Sequence, residues 1–173
     1  MPSIHAIRFV RLTALVIGAA SCAAGRSGAP AGPPDPVQYA AHAEAVRGAA
    51  EPLGARAGSF MMISGLESPL EERIEMVRQA FAEEGVRFAD GASADTVLVS
   101  EPVRVGKRVV FYRAVLDRDP HESLVYLEGF YADSAAGTVV RVSQSEFGEE
   151  GAAWRTVLYV ASWLESQRRR GRD

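Results

Sequence analysis

The acid–base side chains of this sequence are concentrated in one segment, 117–122, which reads Asp-Arg-Asp-Pro-His-Glu. Carboxylates and an imidazole this close together could bind a hard or borderline metal ion, with Asp117, Asp119 and His121 as weak candidate ligands. The spacing matches no established ligand motif, and Arg118 adds a positive charge among them. A polar loop in which the Asp-Pro step starts a turn explains the same residues. The sequence therefore predicts neither a metal site nor a bound cofactor.

The sequence contains few residues that could support nucleophilic catalysis or phosphate binding. The sequence contains neither a Gly-x-Ser-x-Gly elbow nor a Ser-x-x-Lys motif. After residue 21, a Ser-His-Asp triad would have to recruit His42 or His121. Lys107 is the single lysine, and no Gly-x-x-x-x-Gly-Lys loop is present. We therefore expect a protein that is not an enzyme, with a metal-dependent or hydrolytic activity as the remoter alternative.

Apolar side chains offer two further candidate sites. Met61-Met62 could form a soft-metal or adaptable hydrophobic site, although filling of the core by the first strand explains the same pair. Four aromatic residues on neighbouring predicted strands could line a ligand groove under the last helix, or pack across the strands. These residues are Tyr112, Tyr126, Phe130 and Tyr131.

The one cysteine, Cys22, follows a segment typical of export signals. Residues 1–21 carry Arg8 and Arg11, and the apolar run 12–20 follows, which is too short to span a bilayer as a helix. A buried N-terminal helix of the fold is the alternative, and the flanking charges and small residues favour export. Residues 1–21 are therefore predicted to be a signal peptide.

Residues 19–22, Ala-Ala-Ser-Cys, resemble the lipobox of bacterial lipoproteins, in which the cysteine is lipidated and becomes the mature N-terminus. The resemblance implies lipidation of Cys22 and a membrane anchor, whereas ordinary signal-peptidase cleavage would leave Cys22 as a free thiol. The sequence departs from the usual pattern at Ala19, where a larger aliphatic residue is common. By the same resemblance, Ala23 implies a protein that faces the periplasm from the outer membrane more than from the inner one.

The residues that follow the cysteine, through position 35, are mostly Ala, Gly and Pro. Such residues bury too little apolar surface to fold, so 22–35 is predicted to be a flexible tether. A tether behind a lipidated cysteine keeps a domain at a distance from the membrane. The two predictions therefore support each other.

The charge of the mature chain disfavours nucleic acid as a partner. The full sequence has 19 basic and 22 acidic residues. Removal of residues 1–21 takes away Arg8 and Arg11, which leaves 17 basic against 22 acidic side chains and a net charge of −5. A phosphate backbone is bound mainly through Lys and Arg. We therefore expect no nucleic-acid partner.

An amphipathic helix that starts near Ser68 is the clearest element that the sequence predicts. Ser68 is placed to cap it, Pro69 suits its first position, and Glu71 can complete a capping box. Gly85 suits the stop after its last turn. Its apolar stripe consists of Leu70, Ile74, Val77 and Phe81.

Alternating apolar residues predict five strands, at 59–64, 96–105, 108–117, 123–132 and 138–145. Pro102 places the second of them at a sheet edge or a bulge. A second amphipathic helix is predicted around Trp154 to Leu164, with three arginines at its end. Short turns make neighbouring strands antiparallel. The predicted fold is α+β, in the order β-α-β-β-β-β-α, with both helices packed on one face of an antiparallel sheet.

Three further segments complete the predicted organisation. Residues 36–50 form a possible short helix, capped at Asp35, whose alanines would dock weakly and could half cover the free sheet face. The globular domain is placed at 55–167. A basic tail is placed at 168–173, and its arginines would be solvated or could contact anionic lipid.

Several short motifs resemble those of a broad group of small bacterial envelope domains. They lie at 68–74, at 94–99 and in a hairpin from Leu116 to Phe130, and the resemblance covers about residues 56–165. The group includes lipoproteins of unknown function with a β-α-β-β-α core and the N-terminal domain of the TolB translocation protein. It also includes related domains of penicillin-binding-protein activators and curli secretion lipoproteins. The resemblance implies docking onto other envelope proteins, and it carries over no catalytic residues.

The predicted lipid anchor, the predicted tether and the small number of reactive side chains together predict a membrane-anchored envelope lipoprotein. We expect it to act as a non-enzymatic docking or assembly module through its sheet edge or an exposed face. The alternative is a carrier of lipid or another apolar ligand, in a groove between the sheet and the C-terminal helix. The expected partners are thus the membrane, through the lipid, and another envelope protein.

Overall fold

Two long strands joined by a loop form the centre of the sheet, and all other elements are arranged around them. The computed structural model describes residues 36–49, 59–89, 96–119, 121–144 and 148–171, all within one compact unit. In chain order the elements are α1 (Pro36–Arg47), β1 (Met61–Ile63), α2 (Leu70–Glu83), β2 (Val97–Val99), β3 (Val103–Val105), β4 (Arg108–Leu116), β5 (Val125–Asp133), β6 (Thr138–Arg141) and α3 (Gly148–Arg170).

All six strands pair antiparallel in one sheet. The central strands β4 and β5 pair from Val109–Ala132 to Leu116–Val125. The short strands β2 and β3 both pair with the outer side of β4, and β1 and β6 both pair with the outer side of β5. The predicted α+β class and antiparallel sheet are confirmed.

The predicted strand at 96–105 is in fact two strands, β2 and β3, because the chain bulges between them. The register steps from Val99 opposite Arg113 to Val103 opposite Val110, so β4 is opposed by one extra residue. Pro102 in this bulge has no N–H to donate. In the same bulge, the Ser100 N–H donates to the Tyr112 carbonyl and the Ser100 hydroxyl oxygen accepts from the Tyr112 N–H, both at 2.9 Å. Pro102 therefore lies at a bulge on a sheet edge, as its position predicts.

Helices α2 and α3 pack on one face of the sheet, as predicted, and α1 packs on the other. The core under α2 and α3 contains Val77, Phe81, Val157 and Leu164 among its buried residues. The opposite face packs Val99, Phe111 and Phe130 against Val46 of α1. Tyr39, His42, Ala43 and Val46 form the helical stripe that docks, and this stripe is less alanine-rich than the helix as a whole. The helix docks through this stripe and covers part of the sheet face, and the weak docking expected of the segment stays a prediction.

The two ends of α2 differ in how well the sequence predicts them. The N–H groups of Gly85 and Val86 bond to the carbonyls of Ala82 and Phe81, and Gly85 has a φ of +73°. This is the glycine stop that was predicted. The predicted cap by Ser68 is wrong, because the helix begins at Leu70 and the capping position falls on Pro69, which has no side-chain cap bond.

Helix α3 begins earlier than predicted and is fastened to α2 near its middle. It starts at Gly148 and continues to Arg170, so 168–170 belong to its last turn. The Glu83 carboxylate accepts from the Tyr159 hydroxyl at 2.6 Å and from the Trp163 indole N–H at 3.1 Å. The same carboxylate raises the pKa of Tyr159. No helix among the described residues is both long and apolar enough to cross a membrane.

Replacement of Gly106 by alanine should destabilise the fold, because this glycine closes the β3–β4 turn against α3. Gly106 has a φ of +59°, and a Cβ there would clash with a Glu149 carboxylate oxygen. That oxygen accepts from the Lys107 N–H at 2.7 Å, so the bond would break. We expect Gly106→Ala to lower the free energy of unfolding by about 2 kcal/mol in urea titrations.

Gly137→Ala is the matched control for this change. Gly137 also has a positive φ, of +66°, but a Cβ at this position would meet nothing within 4 Å. Gly137→Ala should therefore lower the free energy of unfolding only through its unfavourable backbone conformation, by about 1 kcal/mol. Equal losses for the two variants would contradict a role for the Glu149 contact.

Candidate functional site

The loop that contains the weak metal candidates uses its carboxylates to shape its own backbone. Asp117 Oδ1 accepts from the Asp119 N–H at 2.8 Å, and Asp119 Oδ1 accepts from the His121 N–H at 2.8 Å. These bonds are the side-chain turns expected where Asp begins a loop. Within the described ranges, no group of three acidic, His or Cys side chains is placed to bind a metal ion. The carboxylates of Asp117 and Asp119 thus act as turn acceptors in this structure.

The other sequence-predicted candidates are scattered. Cys22 and the tether lie outside the described residues. His42 of α1 is 2% exposed, and its ring lies 6.4 Å from the ring of Tyr39 and 6.4 Å from that of Phe111. The structure therefore does not bring His42 and His121 into one accessible site.

The four aromatic residues proposed for one ligand groove lie on opposite faces of the sheet. Tyr112 and Tyr131 belong to the core under α2 and α3. Phe130 belongs to the core under α1, and Tyr126 shares its face because side chains alternate along β5. The prediction that all four residues line a single groove is therefore wrong.

An open cleft of about 540 Å³ lies along β1, between this edge strand and α3. The outer edge of β1 is paired with no strand in the part of the chain that the structure describes. Met61 and Ile63 face the core, whereas Met62 points the other way and is 50% exposed. Met61 therefore fills the core, as the sequence predicts for this pair. The same prediction is wrong for Met62.

One stripe of α3 forms the wall of this cleft. The wall residues recur at helical spacing next to the stripe that packs on the sheet. They run from an apolar end at Leu158, which is 38% exposed, to a charged end at Arg169. In order they are Leu158, Ala161, Ser162, Glu165, Ser166 and Arg169.

Arg168 fastens the C-terminal half of α3 beside the end of β1. Its guanidinium donates to the Ser64 carbonyl at 3.2 Å and to the Glu165 carboxylate at 2.6 Å. The helix therefore cannot slide over the strand without breaking the bond to Ser64, whereas Glu165 lies in the same helix and orients the guanidinium. The cleft thus combines a strand edge that pairs with no described strand, an apolar wall and adjacent charges of both signs, which are the elements that bind an extended peptide.

A buried charge cluster on the opposite sheet face was missed by the sequence analysis. Arg113 and Glu128 are neighbours across β4 and β5, with side chains 2% and 0% exposed. Two nitrogens of Arg113 contact one Glu128 oxygen, Nε at 2.6 Å, and Arg141 Nε lies 3.0 Å from the other oxygen. The Phe130 ring lies 5.3 and 5.6 Å from the two guanidinium carbons. Burial raises the pKa of Glu128, while Arg113 and Arg141 oppose that rise.

Arg113 also attaches α1 to the sheet. Its Nη1 donates to the carbonyls of Val46 and Ala49 at 3.2 and 2.5 Å, where α1 ends. A cation is favoured there, because helix carbonyls at the C-terminus have no partner within the helix. The cluster is closed to solvent by α1, so we interpret it as structural. A regular alternation that places Arg113 and Glu128 on the same face was the only hint in the sequence.

Removal of the Arg113 guanidinium should cost more stability than removal of any exposed arginine. Arg113→Met leaves Glu128 buried with less compensation and deprives α1 of its contact. We expect the free energy of unfolding in urea to fall by about 3 to 5 kcal/mol. Arg104→Met, an exposed change on β3, should stay within about 0.5 kcal/mol of the parent.

The double variant Arg113→Met/Glu128→Met separates a buried ion pair from general damage to the core. Methionine at both positions removes both buried charges together, so the double variant should be more stable than Arg113→Met alone. A double variant less stable than Arg113→Met would contradict this interpretation.

Comparison with known proteins adds no assignment to this geometry. No model of a known protein family matches the chain, and no curated protein sequence matches it. The function is therefore argued from the cleft itself.

Proposed function

We propose that this protein is a membrane-anchored envelope lipoprotein whose domain docks an extended segment of another envelope protein at β1. The observation that carries the proposal is the outer edge of β1, which pairs with none of the described strands and lies inside the cleft beneath α3. A strand edge presents backbone N–H and C=O groups, and a partner in extended conformation can satisfy them by adding a strand.

The cleft suits a short segment with mixed side chains. Three residues of β1 span about 10 Å, which matches a partner of three or four extended residues. One side chain of the partner would lie on Leu158 and Ala161, at the apolar end of the wall. Polar or charged side chains would lie near Glu165 and Arg169, at the other end. Backbone pairing supplies affinity here, and the helix wall supplies specificity.

The membrane anchor in this proposal is Cys22. It rests on the apolar run before the cysteine, on the lipobox-like residues 19–22 and on the tether that follows. Several acyl chains on one residue give stable attachment, whereas one chain alone binds a membrane only marginally. The protein would then face the periplasm, with the outer membrane favoured.

A photo-crosslinking amino acid at position 62 tests the docking edge in native membranes. Met62 lies on the edge strand and is half exposed, so a partner bound beside β1 comes within reach. We expect one dominant crosslinked protein. When the crosslinker is placed at Leu158 instead, the added change Met62→Lys should reduce the crosslinking yield at least tenfold, because a lysine on an edge strand opposes strand addition. Mass spectrometry identifies the product.

Val140 provides the matched control for this experiment. It is an exposed apolar residue, 56% accessible, on β6, the other short strand beside β5. The crosslinker at Val140 should not yield the same product. A product obtained from Val140 and not from position 62 would contradict docking at β1. An apolar small molecule that co-purifies, seen by native mass spectrometry, would favour the carrier alternative.

Metabolic labelling with radioactive palmitate tests the anchor separately. We expect label in the parent protein and none in Cys22→Ala, because Cys22 is the only cysteine in the sequence. The variant should also leave the membrane fraction while its domain stays folded, as judged by circular dichroism. Equal labelling of both proteins, or no labelling of the parent, would contradict lipidation of Cys22.

A further inference from the structure

The first turn of α2 contains a charged group whose partners are missing. Arg73 is the fourth residue of this helix, and its side chain is 0% exposed. Its Nε donates to the Ser68 carbonyl at 3.1 Å. Nη1 and Nη2 are buried as well, and neither has a hydrogen-bond partner among the described residues.

A buried guanidinium with two nitrogens that lack hydrogen-bond partners destabilises the folded protein. Burial of an ion without compensating hydrogen bonds costs several kcal/mol, and native proteins pair such groups. The same chain does so at its other fully buried arginine, Arg113, which contacts the Glu128 carboxylate and two backbone carbonyls. The two free nitrogens of Arg73 therefore indicate an anionic partner that does not belong to the described part of the chain.

The guanidinium lies at the N-terminal end of α2. Side chains of a helix tilt towards its N-terminus, and Ser68, which Arg73 contacts, precedes the capping residue Pro69. The first N–H groups of a helix have no partner within it and carry partial positive charge. No side-chain cap bond is present at this end of α2. Donors from the backbone and from Arg73 thus occur together.

A cleft of about 660 Å³ lies at this end of the helix, and its lining includes Glu67, Ser68, Pro69 and His121. Ser68 joins the cleft to the buried guanidinium, because its carbonyl contacts Arg73 and its surface lines the cleft. His121 belongs to the loop after β4.

We propose that Arg73 and the N-terminus of α2 form a binding site for a carboxylate group. Two nitrogens of one guanidinium match the two oxygens of a carboxylate in a planar, charge-assisted pair. The exposed carboxylates of Glu67, Glu71 and Glu72 surround this end of the helix. They repel a doubly charged anion more than a singly charged one, which favours carboxylate over phosphate. The site is separate from the β1 cleft and does not depend on the docking proposal.

Acetate is the probe for this site, and thermal unfolding is the first readout. A ligand that binds only the folded state raises Tm as its concentration increases. At constant ionic strength, we expect acetate to raise the Tm of the full mature domain by about 4 °C or more. Sodium sulfate and sodium chloride should give less than a quarter of that shift. Equal shifts with all three salts would overturn the proposal.

Two arginine variants test whether the response of Tm to acetate depends on Arg73. Arg73→Met retains the apolar stem and removes the charge, and its Tm should not respond to acetate. Arg155→Met, an exposed change on α3, should respond as the parent does. An acetate response that survives in Arg73→Met would overturn the proposal.

Nitrogen-15 NMR of the parent protein tests the site even where Arg73→Met fails to fold. Acetate should shift the Arg73 side-chain N–H signals and the backbone amides of residues 70–72, with one common dissociation constant. Amides along β1 and the second half of α3 should not move. Unchanged Arg73 signals up to saturating acetate would overturn the proposal.

Discussion

The contact between Arg113 and Glu128 is the constraint on which the arrangement of the layers depends. Both charges lie in the middle of the central strand pair, on the face that α1 covers. Two charges at the centre of a sheet can leave water only where hydrogen bonds replace the hydration that they lose. Arg113 finds these bonds in Glu128 and in the last carbonyls of α1. The helix must therefore end above the strand pair, and the register of β4 and β5 must place the two residues opposite each other.

Elements whose contacts are local could be predicted from the sequence, and contacts made by distant segments could not. The stripe of α2 and its stop at Gly85 follow from residues within one helix, and the strand order follows from short turns. The burial of Glu128 could not be predicted, because an acidic residue in an alternating strand ordinarily faces water. Only α1, more than sixty residues away in the sequence, makes that position interior. Its docking stripe was hidden by alanines at neighbouring positions.

The candidate docking site at β1 could not be predicted from the sequence for a related reason. An apolar run such as 59–64 indicates a strand, but it does not indicate which neighbour the strand has. Strand β1 pairs with residues that lie more than sixty positions later, from Met61 opposite Leu127 to Ile63 opposite Val125. How far its other side is covered depends on the path of α3, which the bond from Arg168 to Ser64 joins to the end of β1. The edge, and with it the exposure of Met62, is a property of the assembled fold.

The same arrangement relates the proposed anchor to the proposed docking edge. The predicted tether joins the domain at the start of α1, on one face of the sheet, whereas α3 forms its cleft with β1 from the other face. Helix α1, which the predicted tether would join, packs on β2, β4 and β6, and the Arg113 contacts fasten it to the two longest strands. Strand β1 has three residues and pairs only with β5 among the described strands. The edge that a partner would occupy is therefore separate from the surface on which α1 docks.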